Sequence, residues 1–391
     1  CSGVLCRLLK MTIQGRRSAC RVFLDADSLQ DPDMLFDTVR CSTRNLVVIL
    51  SPRLLQQAWR AGEIATAHAN GVPLVPVACA GLQTPNRLEA IAGAWTEEEA
   101  HMLLRFGITA ADIQEAYNSL LELDCVVMPH PNSGAEHESA VETLLGRCGL
   151  RGGFRLPELL RVTSWKLEHG SRVCVSGHSG DVEAACMCRV VQAMLRRDMQ
   201  EGVQLACSLE ELGATAETLG HWVVLFTRGI LETPQFAQMI LYLVESRPSL
   251  AVTTVVADPS FEFPGDDFYS RLETNGLGLP GLGSEEGMVL SDAYRALMQV
   301  LAKPLSPLGS EGLLQRQVQE IHSRIRSRDL ASAAAPEYNI LAEPSQRPVR
   351  AAASGPADPS ELGVEDAEEA VPQAVPATQM FRCGTVRRVM I

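Results

Sequence analysis

Residues 45–55 read Asn-Leu-Val-Val-Ile-Leu-Ser-Pro-Arg-Leu-Leu, and their reading decides the fold class. Asn45–Leu50 is a near-continuous apolar run rich in β-formers. A strand wet on one face would alternate apolar and polar residues; a strand without that alternation needs cover on both faces, as in a parallel sheet. A hydroxyl residue, a turn and an aliphatic pair follow, and then a helical stretch, Gln56–Ala69, which stops at Asn70-Gly71. The same order returns at 221–231, His-Trp-Val-Val-Leu-Phe-Thr-Arg-Gly-Ile-Leu. Recurrence of strand, hydroxyl, turn, aliphatic pair and helix predicts two diverged copies of one unit.

Working outward, strand and helix patterns alternate through the first 150 residues. Val4–Met11 reads as a helix, Arg21–Asp25 as a strand, and Met34–Arg40 as a helix entered through Asp31-Pro-Asp33. Val72-Pro-Leu-Val-Pro-Val77 is a buried strand whose two prolines suggest an edge or a bulge. Thr96 with Glu99, and Thr109 with Asp112, have capping-box spacing at two helix starts. Asp124–Met128 is a short strand, and Ser133 with Glu136 predicts a cap for the helix to Leu145. After a connector, Gly149–Gly170, the alternation restarts. Strands are expected at Arg172–Ser176, Val203–Cys207, His221–Phe226 and Leu250–Ala257. Helices are expected at Val182–Arg197, Thr233–Glu245, Ser291–Leu301 and Leu313–Ser327, with a Gly-rich loop at Asn275–Gly287. Such alternation argues for open, doubly wound α/β sheets. Beyond about Leu330, Ala, Pro, Glu and Ser dominate without an apolar period, which reads as a disordered tail. Arg382–Ile391 turns apolar again.

Composition narrows the function. The chain has 391 residues, 46% hydrophobic and 21% charged, so it can bury substantial cores. Its formal net charge is −13, from 34 Lys and Arg against 47 Asp and Glu, with no basic block longer than two arginines. Nucleic acid, which demands a concentrated basic face, is excluded as the expected partner. No apolar run approaches the ~18 residues that span a bilayer, so no membrane segment is expected. The 12 cysteines are scattered, many within apolar runs, without a C-x-x-C, and read as reduced, mostly buried thiols of a cytoplasmic protein. Because the chain opens on Cys1, it reads as a piece of a longer protein.

Three features come in order in the first half: Phe23-Leu-Asp-Ala-Asp-Ser-Leu29 at a strand end, Leu50-Ser-Pro52 after the next, and Trp59-Arg-Ala-Gly-Glu63 on a helix. Together with Val72–Val77 they resemble the Toll/interleukin-1 receptor (TIR) family, whose corresponding pieces are F-x-D-x-x-x-L, S-P, W-x-x-x-E and a strand of the I-P-V-I-P-V type. The resemblance covers about Val4–Cys148. It implies a flavodoxin-like fold of five parallel strands with helices on both faces. It further implies association with other TIR domains in intracellular signalling, and, as in some members, cleavage of NAD+ at the nicotinamide–ribose bond.

By that resemblance Glu63 is the catalytic carboxylate and NAD+ a substrate, with no cofactor or metal implied. Nicotinamide leaves as a neutral group from a pyridinium, so little acid help is needed; a carboxylate would stabilise the oxocarbenium-like ribose. Trp59, one turn before Glu63 on the same helix face, is the candidate pocket wall, against a core-covering role. Asp25 and Asp27 end a strand at the carboxyl edge of the sheet, where α/β ligands bind, against a turn-capping role. The family's first strand and the loop after it should precede Val4 and are missing there, and the loop after Leu29 reads Gln-Asp-Pro-Asp without the usual Gly.

The second half resembles a degenerate TIR domain. Arg172–Ser176 and Ser179–Asp181 match the first strand and its loop. Pro234-Gln-Phe-Ala-Gln-Met-Ile240 stands at the W-x-x-x-E place without a carboxylate at the matching turn, so this half reads as non-catalytic. Ser176-Gly-His-Ser-Gly180 reads as a tight strand-to-helix turn rather than a phosphate cradle, since it lacks the Lys of a Walker loop. Gly276-Leu-Gly-Leu-Pro-Gly281 matches G-x-G-x-x-G without a strand before it. His130, Glu136 and His137 straddle a turn and a helix start, which favours capping over metal ligation. A phosphoacceptor receiver is set aside, because none of the three lysines, 10, 166 and 303, stands at the place it needs directly after the last strand.

The expectation is therefore a TIR domain at 1–148 lacking its opening strand, a linker at 149–170, a second TIR-like domain at 171–330 and a disordered tail at 331–391. Signalling through TIR–TIR association is the first functional reading. NAD+ glycohydrolysis by Glu63 is the alternative, and a nucleotide sensor without turnover a third.

Overall fold

The computed structural model describes residues 3–17, 20–24, 27, 34–51, 54, 57–80, 95–150, 173–199, 202–274, 277–279, 283–334 and 387–390. Asp25, Pro52, the loop after Leu29, most of the expected linker, half of the G-x-G-x-x-G stretch and the Ala/Pro-rich segment 335–386 lie outside them.

In chain order the elements of the first half are α1 (Gly3–Arg16), β1 (Cys20–Phe23), α2 (Met34–Ser42), β2 (Asn45–Leu50), α3 (Ala58–Ala69), β3 (Leu74–Cys79), α4 (Glu97–Arg105), α5 (Ala110–Glu122), β4 (Val126–Met128) and α6 (Ala135–Arg147). Then come β5 (Val173–Ser176), α7 (Val182–Asp198), β6 (Val203–Leu205), α8 (Leu209–Thr215), β7 (His221–Phe226), α9 (Pro234–Ser246) and β8 (Ala251–Val256). The last are α10 (Asp266–Glu273), α11 (Ser284–Gln299), β9 (Lys303–Pro304), α12 (Glu311–Ala334) and β10 (Arg387–Met390).

These elements build two five-stranded sheets, ordered β1-β10-β2-β3-β4 and β6-β5-β7-β8-β9, and every pairing is parallel. The second order is the 2-1-3-4-5 arrangement of flavodoxin-like sheets. β2 and β7 are buried along their whole length, as their unbroken apolar runs require.

The first sheet has the same order only because of β10. Val22 pairs with Val389 and Phe23 with Met390; on the other side Val389 pairs with Asn45 and Met390 with Leu46. The position of an opening strand is thus held by Arg387–Met390, a segment expected to belong to the disordered tail. This corrects the expectation of a first unit short of one strand. Met390 is buried in one cluster with Leu46, Val48 and Leu50, so the insertion is secured by packing as well as by pairing.

Two local expectations also change. β3 is an interior strand, paired with β2 and β4, despite Pro73 and Pro76. The Pro73 carbonyl accepts from Leu46 N at 2.9 Å, so odd-numbered residues here direct their backbone groups toward β2. Pro76, of opposite parity, turns its missing donor toward β4, where pairing begins only at Val77. At α6 the N-cap is Gly134, at φ +48°, without a side-chain cap, instead of the expected Ser133. Both capping boxes form as their spacing predicts. Thr96 and Glu99, like Thr109 and Asp112, exchange backbone-to-side-chain bonds of 2.8 to 3.2 Å.

The two halves meet through their inner helices. α1 and α6 cover one face of the first sheet, α7 and α12 one face of the second, and these layers pack together in one apolar cluster. It runs from Val47 and Val77 through Leu5, Leu9, Val190, Met194, Val318 and Ile321 to Val175 and Val223. The outer faces carry separate cores. One is built around Phe36, Ile64 and Tyr117, the other around Trp222, Phe236 and Tyr294.

Among the described residues no helix is long and apolar enough to cross a membrane. Among the described residues no cysteine forms a disulfide. Burial pushes the thiols of Cys79, Cys148, Cys174 and Cys207 up to about 12, which holds them protonated.

Candidate functional site

α3 presents Trp59 and Glu63 on the outer side of the first sheet. Its buried face is made of small residues, Ala58, Ala61, Gly62 and Ala65, with Ile64. Small residues let neighbouring helices close in. A Cβ on Gly62 would lie 2.6 Å from two ring carbons of Phe36 and 2.8 Å from a methyl of Leu103. The close approach brings Phe36 of α2 against Trp59, stacked at 5.6 Å with 20° between the rings. Phe106, the C-cap of α4, meets Phe36 edge-on at 4.8 Å and lies 6.3 Å from Trp59.

Trp59 remains 36% exposed, so it joins an aromatic cluster and still shows a partly open surface. Glu63, one turn further along α3, is half-buried. An indole and a half-buried carboxylate at i, i+4 offer an apolar wall beside a negative charge. The sequence reading found this pair but missed Phe36 and Phe106, which fix the indole; each arrives from a separate helix. Three rings brought together from three helices are a packing relation that no local pattern contains.

Asp27 is placed elsewhere. Its side chain is 2% exposed, with Oδ1 2.8 Å from the Arg7 guanidinium and Oδ2 2.6 Å from Lys10 Nζ, both on α1. That is the face of the sheet opposite α3. Arg7 also donates to the carbonyls of Pro307 at 2.9 Å and Gly309 at 2.5 Å, and Lys10 to Glu311 at 3.0 Å. The expected substrate-binding Asp27 is therefore a buried ionic joint between the β1 end, α1 and the second half. With both oxygens engaged, it is not offered to a substrate. The signal for this is the pair of cations, Arg7 and Lys10, three residues apart among the apolar residues Val4–Met11.

In the second half, the residues matching the W-x-x-x-E slot on α9 are apolar core. Phe236 is 2% exposed and Ile240 is 0% exposed. Phe236 lies 6.0 Å from the Trp222 ring and stacks on Tyr294 at 5.9 Å. No carboxylate can replace Ile240 there without being desolvated.

The Ser176–Gly180 turn is closed by its own groups. Trp222 Nε1 donates to Ser176 Oγ at 2.9 Å, Gly180 N donates to His178 Nδ1 at 3.2 Å, and Asp181 caps α7 by accepting from Ala184 N at 2.7 Å. A Cβ at Gly177 would meet Cys188 Sγ at 2.6 Å, so a larger residue there would have to displace that buried thiol.

His130 accepts from Asn132 N at 3.3 Å through Nδ1, a turn-closing role. His137 is buried in α6, and its pKa is pushed down to about 4 by burial first and by the nearby Arg189 second. Among the described residues no group of His, Cys, Asp and Glu is arranged to hold a metal. No family model matches the chain, and no curated protein or solved structure is significantly similar to it.

Proposed function

We propose that this is a TIR-like protein of signal transduction that acts by association between like domains, with NAD+ cleavage assigned to its first half. One observation carries the reading. In the first sheet the helix after the third-position strand presents Trp59 and a half-buried Glu63 side by side. A carboxylate so placed suits a reaction in which positive charge develops on a ribose while a neutral pyridine departs. The association part is supported by the way the two halves meet, through one continuous apolar cluster between their inner helices. The second half, with Ile240 in place of the carboxylate, serves as a non-catalytic partner for the first.

The test is incubation of the chain with NAD+, following nicotinamide release by chromatography, beside Glu63→Ala and with light scattering on the same samples. Release that Glu63→Ala abolishes supports the enzyme. Absence of release from folded, concentrated protein removes it, and leaves association as the function only if scattering shows assembly.

A further inference from the structure

Between α1, α7 and α12 lies a cleft of about 270 Å³, where the two halves of the chain meet. Its walls are mainly apolar, formed by Met11, Met194 and Leu314 from the three helices, and its rim carries Lys10, Arg197 and Glu311. The balance of charge around it is positive. The cations Arg7, Lys10 and Arg197 stand against the carboxylates Asp27 and Glu311, which leaves one positive charge. Arg7 and Lys10 are held by Asp27, whereas Arg197 has no hydrogen-bond or ion-pair partner among the described residues. Lys10 Nζ uses two of its three donors, on Asp27 and Glu311. The volume is nearly twice the ~150 Å³ of a cavity that holds one benzene, which suits a ligand of about ten non-hydrogen atoms.

We propose that this cleft binds a monoanionic amphiphile, such as a medium-chain carboxylate. The carboxylate would sit between Arg197 and the third donor of Lys10, with its chain against Met11, Met194 and Leu314. Methionine side chains are unbranched and polarizable and adapt to chains of varied shape. Because the walls come from both halves, occupancy would fasten the joint between them. The proposal rests on this cleft alone and stands or falls independently of Glu63 and NAD+.

The test is calorimetric titration of the full chain with octanoate and, separately, with the uncharged octanol. Octanoate is expected to bind at least tenfold more tightly than octanol, since a hydrogen bond to a charged group outweighs a neutral one by about that factor. Arg197→Glu should erase the difference, and Met194→Trp, which fills the cleft, should abolish both interactions. Circular dichroism and the melting temperature without ligand check that each variant is folded. Equal binding of the two probes overturns the anion site. Binding indifferent to both substitutions, or no binding to the folded parent chain, overturns the cleft.

Discussion

Substituting Asp27 separates a structural ion pair from a substrate ligand. In Asp27→Ala, Arg7 and Lys10, whose side chains are 3% and 7% exposed, lose the carboxylate at 2.8 and 2.6 Å. Removing one partner of a buried pair costs about 3–5 kcal/mol, because the remaining charge stays desolvated. The lower end applies here. Arg7 keeps the carbonyls of Pro307 and Gly309, and Lys10 keeps Glu311, which is 54% exposed. We expect a loss of about 3 kcal/mol, measured by urea unfolding followed by circular dichroism. With a slope near 3 kcal/mol per molar, the midpoint should fall by about 1 M. Replacing all three groups by apolar ones, Arg7→Met, Lys10→Met and Asp27→Leu, should recover most of that loss, since the stranded charges go with their partner. A loss below about 0.5 kcal/mol for Asp27→Ala would refute the reasoning, for that is what a carboxylate in water gives.

Two further outcomes follow from packing and burial. His137, held at about 4 in the folded protein, stays neutral where the unfolded chain takes up a proton below about 6.5, so stability should fall as pH drops from 6.5 to 4. Its share is about 2–3 kcal/mol by pH 4.5, read as the difference in pH dependence of urea midpoints between the parent and His137→Leu; equal slopes would remove it. Gly62→Ala should cost about 1–3 kcal/mol, because the new methyl lands on the Phe36 ring, and Trp59 fluorescence should report the shifted stack. An unchanged midpoint and spectrum would show that α2 does not press on α3.

The parts of the fold legible in the sequence are those fixed by neighbours along the chain. β2 and β7 match their apolar runs, and the two Thr caps match their spacing, because each needs only a few consecutive residues. The helices α8 and α10 escape such a reading because they are short, seven and eight residues, and α10 buries only Tyr269 and Leu272. Pro76 misled because its harm depends on which side of the strand its nitrogen faces, a property of pairing rather than composition. β10 was unreadable for a plainer reason. Four residues, Arg-Arg-Val-Met, form a strand only because a slot between β1 and β2 awaits them. At the candidate site, Trp59 and Glu63 were legible through their four-residue spacing, whereas the ion pairs of Asp27 depend on α1 lying over the end of β1, with Arg7 held from the other side by carbonyls of the second half.

The placement of β10 also governs the order in which the molecule can be built. Its partners in β1 and β2 lie more than 340 residues upstream. A ribosome therefore releases the whole second unit, whose strands are all close in sequence, before the first sheet can receive the strand between β1 and β2. The half made first must be finished last. Until then β1 and β2 expose unpaired edges, the surfaces on which strands of neighbouring chains add. Long-range pairing of this kind slows folding, so the waiting interval is extended by the topology itself. During synthesis the early-made half accordingly waits with two open strand edges, and the late-made half supplies the inner helices against which it is completed.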